Sequence, residues 1–304
     1  MEKKHAYLIM AHEDDYTLKK LLSCLDYEVN DIFLHIDKKN NTFDISDLEK
    51  CVAKSRINIY KEYSVYWGTQ SQVKCELFLI QKAISTDKYQ YLHLISGADL
   101  PIKSQDQIYD FFSQHQGKEF IHYDDEFYRE AKQKRCRRYY FFREKRMKYS
   151  SVPLIGAFFS RLDSISLNIQ DKLNVDRRRG MEIYSGANWF SITSELAHYL
   201  IEKKSDILKL TKYSISGDEV FLQTIVAHSK FIHNCYLYPN ADSNCYAGCV
   251  REIDWKRGKP YVYRMEDYEQ LISSGSMFAR KFNSHIDKNI IDAIVKVLLY
   301  RERG

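Results

Sequence analysis

Two adjacent carboxylates, Asp218 and Glu219, stand where a Ser216-Gly217 turn hands over to an apolar run carrying Val220, Phe221, Ile225 and Val226. The spacing of that run predicts a helix, with Ser216 as its cap and Gly217 supplying a backbone conformation closed to other residues. The first turn of a helix favours negative charge, so an acidic pair there is ordinary architecture. It is also a place where a rigidly held carboxylate can face a cleft and act as a general base. On a helix the two side chains project about 100° apart, so they cannot share that role. Three further residues, His12, Asp37 and Asp99, each follow a short apolar run. If those runs are strands of a parallel sheet, all three fall at carboxyl ends, where ligands bind in such sheets.

The elements needed to hold these residues are readable in order. Apolar runs at 6–11, 31–36, 57–60 and 89–95 predict buried strands, and 119–123 predicts another. Helical spacing occupies 17–25, 70–83, 105–112 and 158–173. Residues 184–193 predict a turn feeding a strand, followed by a helix from Ser194. A strand is expected at 231–237, a polar loop at 251–260, and helices at 265–273 and 287–300. Strands alternating with helices imply a right-handed α/β fold with a mostly parallel central sheet flanked by helices.

A chain of 304 residues with 44% hydrophobic and 29% charged residues can bury a sizeable core, and this composition argues against disorder. The N-terminus runs straight into a strand without the apolar stretch of a leader. No run reaches the roughly 18 apolar residues of a membrane span. The seven cysteines are scattered, and the cluster Cys235, Cys245 and Cys249 lacks a zinc spacing. Free thiols in a reducing cytoplasm are the expectation.

A basic segment at 132–148 includes Lys132, Arg135, Arg143, Lys145, Arg146 and Lys148, interleaved with Tyr139, Tyr140, Phe141 and Phe142. Such a run reads as a solvated helix face, a nucleic-acid surface or an edge for anionic lipid. A net charge of only +5 argues against dedicated nucleic-acid binding. Peripheral contact with the inner membrane face through 132–148 is the remaining partner reading.

Further motifs lie along the chain: His35-Ile36-Asp37-Lys38, Trp67-Gly68, the stretch from Leu94 to Pro101, the stretch from Ser185 to Phe190, Ser216-Gly217-Asp218-Glu219, Ile253-Asp254-Trp255, and Phe278-Ala279-Arg280-Lys281-Phe282. As an ordered set they resemble the core-2/I-branching family. These glycosyltransferases add β-1,6-linked N-acetylglucosamine and have the peptide O-xylosyltransferases as relatives. The resemblance implies a GT-A-like fold, a UDP-sugar donor, a glycan or lipid-linked glycan acceptor, and inversion at the anomeric carbon. The sugar implied is N-acetylglucosamine, with xylose or another hexose as alternatives. The catalytic base implied is Glu219, with Gly217 in place of the family's proline.

The resemblance puts Asp37 against uracil, with His12 nearby, and Trp67, Asp99, Arg280 and Lys281 on the donor side. Lys281 would neutralise the diphosphate. A second basic residue is assigned to Lys259, with Arg257 as the alternative. Trp255 would stack on the acceptor, and Asp218 belongs to the acceptor side as a cap or a support for a basic residue. The chain contains no Asp-X-Asp, and the family's solution is metal-free, so neither metal nor cofactor is expected. One domain spans 1–304, with a nucleotide-binding half at about 1–122, a variable basic segment at 123–180 and an acceptor and catalytic half at about 181–304. A non-catalytic sugar- or nucleotide-binding relative is the competing reading, and a nucleic-acid-binding protein a further one.

Overall fold

A computed structural model of the chain describes residues 4–237 and 246–301. Cys245, one of the clustered cysteines, lies outside the described residues. The architecture is mixed α/β, with a mostly parallel central sheet flanked by helices, as the alternation of elements predicts. Its strands are β1 (His5–Ala11), β2 (Asn30–Ile36), β3 (Arg56–Tyr60), β4 (Tyr91–Ser96), β6 (Phe120–Ile121) and β7 (Phe190–Thr193), in the order β3-β2-β1-β4-β7-β6. The first four are parallel, whereas β7 runs antiparallel to both β4 and β6. A second, three-stranded sheet joins β5 (Asp99–Pro101), β9 (Phe278–Arg280) and β8 (Arg251–Ile253), with β9 in the middle.

The pleat of β1 and β2 explains their continuous apolar composition. Tyr7, Ile9, Ala11, Ile32, Leu34 and Ile36 face one core, whereas Ala6, Leu8 and Phe33 face the other. Both faces are covered by helices, so both phases of the strand must be apolar. The helices start where short polar side chains can cap them. Asp15 accepts from Leu18 N–H at 2.9 Å before Tyr16–Leu25, and Ser104 and Gln107 form a reciprocal capping box before Gln105–Gln114.

Three local expectations are corrected. Residues 231–237 do not form a strand. Ser229 caps a 3₁₀ turn over Lys230–Asn234, and only Cys235 reaches the edge of the sheet, as a single bridge to Glu119. The loop expected at 251–260 begins with β8. The basic segment, for which a helix face was one reading, does lie on two helices, Glu126–Arg137 and Arg143–Lys148. The acidic pair sits on a 3₁₀ turn, Gly217–Glu219, ahead of the helix Phe221–Ala227. Ser216 makes no side-chain cap there. Ser216 itself, not Gly217, takes the left-handed conformation, at φ 51°. Gly217 is required for space, because a Cβ would lie 2.8 Å from the Thr211 side chain. Among the described residues no helix is long and apolar enough to cross a membrane.

Candidate active site

The strand order reverses direction at β1, which has β2 on one side and β4 on the other. A crevice is expected beyond the carboxyl ends of β1 and β4. The two ends come close there, where Gly97 N–H donates to Met10 O at 3.1 Å and a Cβ on Gly97 would meet the Ala11 side chain at 3.2 Å. His12 follows β1, is well exposed and lies 3.7 Å from Glu13. Asp37 follows β2 and is buried. Its carboxylate accepts from Lys39 N–H at 3.0 Å and faces Lys39 Nζ at 3.2 Å. Asp99 is also buried, and its carboxylate is occupied by the Ser96 N–H at 2.9 Å and Ser96 Oγ at 2.7 Å. It therefore holds the turn after β4 and is not a freely exposed ligand.

The small sheet brings three distant motifs to this turn. Asp99 pairs in register with Arg280, and Arg280 with Ile253. Phe282 N–H donates to Ala98 O at 2.9 Å. The Arg280 guanidinium stands over the Trp189 ring at 4.1 Å and lies 3.7 Å from Asp99. Its Nη1 is buried without a hydrogen-bond partner among the described residues, so an N–H remains unspent there. Lys281 follows directly and is half-buried. Its backbone is clamped by Tyr261 and Tyr263, whereas its ammonium makes no ion pair among the described residues. Lys259 is exposed and likewise makes no described ion pair. Arg257 is held by Asp254 at 2.5 Å and Asp267 at 2.7 Å and lies over Tyr261, so it is committed to the loop.

Glu219 is held from several sides. Its carbonyl accepts from Gly186 N–H at 2.9 Å, and Ser216 N–H ties the turn to Gly68 O at 3.1 Å. The carboxylate is 30% exposed and lies 3.3 Å from Lys132 Nζ and 3.7 Å from Arg135. Lys132 is shared with Asp124 at 2.8 Å, and Asp124 also accepts from Ser185 Oγ at 2.6 Å. Asp218 turns inward and is buried, accepting from Gln72 Nε2 at 3.1 Å. Burial first, then the charge of Glu219, holds its carboxyl above the ordinary range. Beneath it, Glu76 is wholly buried and pushed well up by burial and by Asp218. The three carboxyls thus divide into one facing solvent and two within the protein.

The segment from Ser185 to Phe190 connects the two parts, because Gly186 bonds Glu219 and Trp189 stacks under Arg280. Gly186 has no alternative residue, since a Cβ would lie 1.9 Å from His122 O. Tyr246 stacks on His122 at 4.1 Å and stands 6.4 Å from the half-exposed Trp255 ring. Burial raises the Tyr246 phenol first, with Asp124 and Glu219 among the contributing charges, so this aromatic pair borders the carboxylate cluster. Trp67 is the most exposed tryptophan at 66%, with the Arg143 guanidinium 5.7 Å from its ring centre.

Sequence reasoning missed Gln72, Asp124 and Tyr246, and it singled out Lys132, Arg135, Ser185 and Trp189 without giving them a place in the site. Lys132 and Arg135 are one turn apart on the helix Glu126–Arg137, whose cap is Asp125. That i, i+3 spacing places them on one face. Nothing in the sequence says that a carboxylate from a distant turn meets that face.

The family model described as Core-2/I-Branching enzyme matches residues 5–272. Xylosyltransferase sqv-6 of Caenorhabditis briggsae is 24% identical over 297 residues, covering 91% of this chain and 34% of the relative. Xylosyltransferase oxt of Drosophila pseudoobscura pseudoobscura is 20% identical over 295 residues, covering 90% and 30%. The chain thus spans about a third of the length of these curated relatives. Among solved structures, mouse xyloside xylosyltransferase 1 in its apo form matches 92% of this chain and 97% of its own, at 9% identity and a TM-score of 0.38.

Proposed function

The chain belongs to the Core-2/I-Branching enzyme family, and from that premise we propose that it is an inverting glycosyltransferase that moves a sugar from a UDP-sugar to a glycan hydroxyl. The observation that supports this best is the link between a carboxylate and a cation. The segment from Ser185 to Phe190 touches Glu219 at one end and Arg280 at the other. An inverting transfer needs a base on the attacking hydroxyl and positive charge on the departing diphosphate, on opposite sides of the reacting carbon.

Glu219 accepts the proton of the attacking hydroxyl, because it is the carboxylate of its cluster that reaches solvent. Lys132 and Arg135 hold it in place and remain able to donate to acceptor oxygens. Arg280 and Lys281 take up the charge of the leaving UDP, with Lys259 as a further contact and Asp37, His12 and Trp67 around the nucleoside. Trp255 and Tyr246 give a sugar ring an aromatic face on the acceptor side. With these cations on the diphosphate the transfer runs without a metal ion. The donor half at 1–122 is therefore completed by residues from the C-terminal part.

The names of the relatives make UDP-xylose the first donor to test, beside UDP-N-acetylglucosamine. A lipid-linked glycan is the acceptor class proposed. The test is a panel of UDP-sugars scored for transfer to glycan acceptors and for slow hydrolysis, with and without excess EDTA. Turnover of one UDP-sugar that survives EDTA is expected. Turnover abolished by EDTA and restored by manganese would overturn the metal-free part. No turnover, with no thermal shift by UDP, would overturn the donor assignment.

A further inference from the structure

The helix Pro153–Lys172 has an apolar stripe that none of the described residues covers. Leu154, Phe158, Ile165 and Ile169 recur at spacings of four, seven and four, which places them along one face over about 22 Å. Leu154 is 86% exposed, and the other three are each about half exposed. None of this helix's residues joins the described hydrophobic cores. Its opposite face is attached by polar contacts and stacked rings. Asp163 accepts from Phe142 N–H, Gln170 bonds both Tyr139 backbone groups, and Phe159 stacks on Phe142.

The charge around the stripe is mostly of one sign. In the first half of the basic segment Lys132 pairs with Asp124 and Glu219, Arg137 with Asp176 and Arg138 with Asp171, while Lys134 is exposed. The exposed cations around the stripe are Lys145, Arg146 and Lys148 on the adjacent helix Arg143–Lys148, with Arg161 and Lys172 on the striped helix itself. Glu144 on the first helix and Asp171, paired with Arg138, on the second are the exposed acids of the pair. Lys145 Nζ lies 5.7 Å from the Phe159 ring, which fixes the two helices side by side.

We infer that this helix pair docks on an anionic phospholipid surface. Its stripe enters the headgroup boundary, and Lys145, Arg146 and Lys148 pair with lipid phosphates. An amphipathic helix holds a membrane stably when apolar area and basic charge act together, and both are present here. A second copy of the chain is a poorer occupant, because packing stripe on stripe would bring the same cations face to face. The inference moves the lipid contact expected at 132–148 onto 143–172. It deepens the reading of a lipid-linked acceptor, because Arg143 reaches from the same helix to the exposed Trp67, next to the Gly68 that anchors the Glu219 turn.

The test is flotation of the purified chain with vesicles of phosphatidylcholine alone or with about thirty per cent phosphatidylglycerol, at low salt and at about 0.5 M salt. Binding is expected only with phosphatidylglycerol, and high salt should weaken it. Leu154→Ser/Phe158→Ser should lower partitioning at least about tenfold, and Lys145→Glu/Arg146→Glu/Lys148→Glu should abolish the salt-sensitive part. Both variants should keep UDP binding and the wild-type unfolding temperature, so a failure of the transferase reading would not imitate a failure of docking. Equal flotation of Leu154→Ser/Phe158→Ser and wild type would overturn the inference. So would a dimer in sedimentation that this variant dissolves while neither protein floats.

Discussion

Glu219 and Asp218 are neighbours in the chain and opposites in environment. Glu219 meets Lys132 and Arg135 at a solvent-facing edge, while Asp218 is buried against Gln72. Glu219→Gln preserves the shape and removes the proton acceptor. Transfer should fall by roughly two to four powers of ten, with UDP affinity unchanged. Near-normal turnover in that variant, measured under saturating donor, would remove Glu219 as base. Asp218 should behave differently. Its raised carboxyl contributes stability that is complete below the ordinary carboxylate range and is lost as pH rises through the folded value. The stability deficit of Asp218→Asn relative to wild type should therefore shrink as pH rises from about 4 towards 8. Denaturant midpoints that stay a fixed distance apart would show that Asp218 is ionised throughout. On the donor side, Lys281→Ala should weaken UDP binding and turnover together; an unaltered Kd for UDP would remove Lys281 from the diphosphate contact.

Among the elements, the segment from Ser185 to Phe190 does the most positioning, and its glycine shows why. Gly186 lets the chain pass so close to His122 that no side chain fits, and the same residue's N–H fixes the Glu219 carbonyl. Gly186→Ala should cost roughly 1–3 kcal/mol through overpacking and should lower turnover as the Glu219 turn shifts. Urea denaturation reads the first effect and a transfer assay the second; a variant unchanged in both would show that the close approach is not needed. The turn at Ser216 makes the same point. A short polar residue in the left-handed region passes the chain from Thr211 to Glu219, Gly68 O accepts its N–H, and Gly217 leaves room beside Thr211.

For the whole molecule, the sheet's interior histidines tie stability to pH. His35 is buried in β2, and its Nε2 accepts from Tyr63 N–H at 3.0 Å, which requires a neutral ring. Burial chiefly lowers its pKa to about 4. The unfolded chain takes up that proton near pH 6.5, so the contribution of neutral His35 is complete above 6.5 and is lost as pH falls towards 4. The stability advantage of wild type over His35→Gln should shrink across that window by no more than about 3 kcal/mol. Chemical denaturation at several pH values checks this, and a constant gap would mean that the ring titrates normally.

Whatever rests on local burial was legible in the sequence. β1, β2 and β4 are apolar in both phases because both faces of the sheet are covered, and the caps of the flanking helices are adjacent in the chain. The positions of His12, Asp37 and the turn after β4 follow from those strands alone. Tertiary structure decided what meets what. β8 and β9 have three residues each, too few to show a period, yet their pairing sets Arg280 beside Asp99. A run of lysine and arginine looks the same whether water or a carboxylate receives it. Only the docking of Glu126–Arg137 against the Glu219 turn turns Lys132 and Arg135 inward and leaves Lys145, Arg146 and Lys148 outside. The cause is physical: burial pattern is a property of one element, whereas the environment of a charge belongs to every element packed around it.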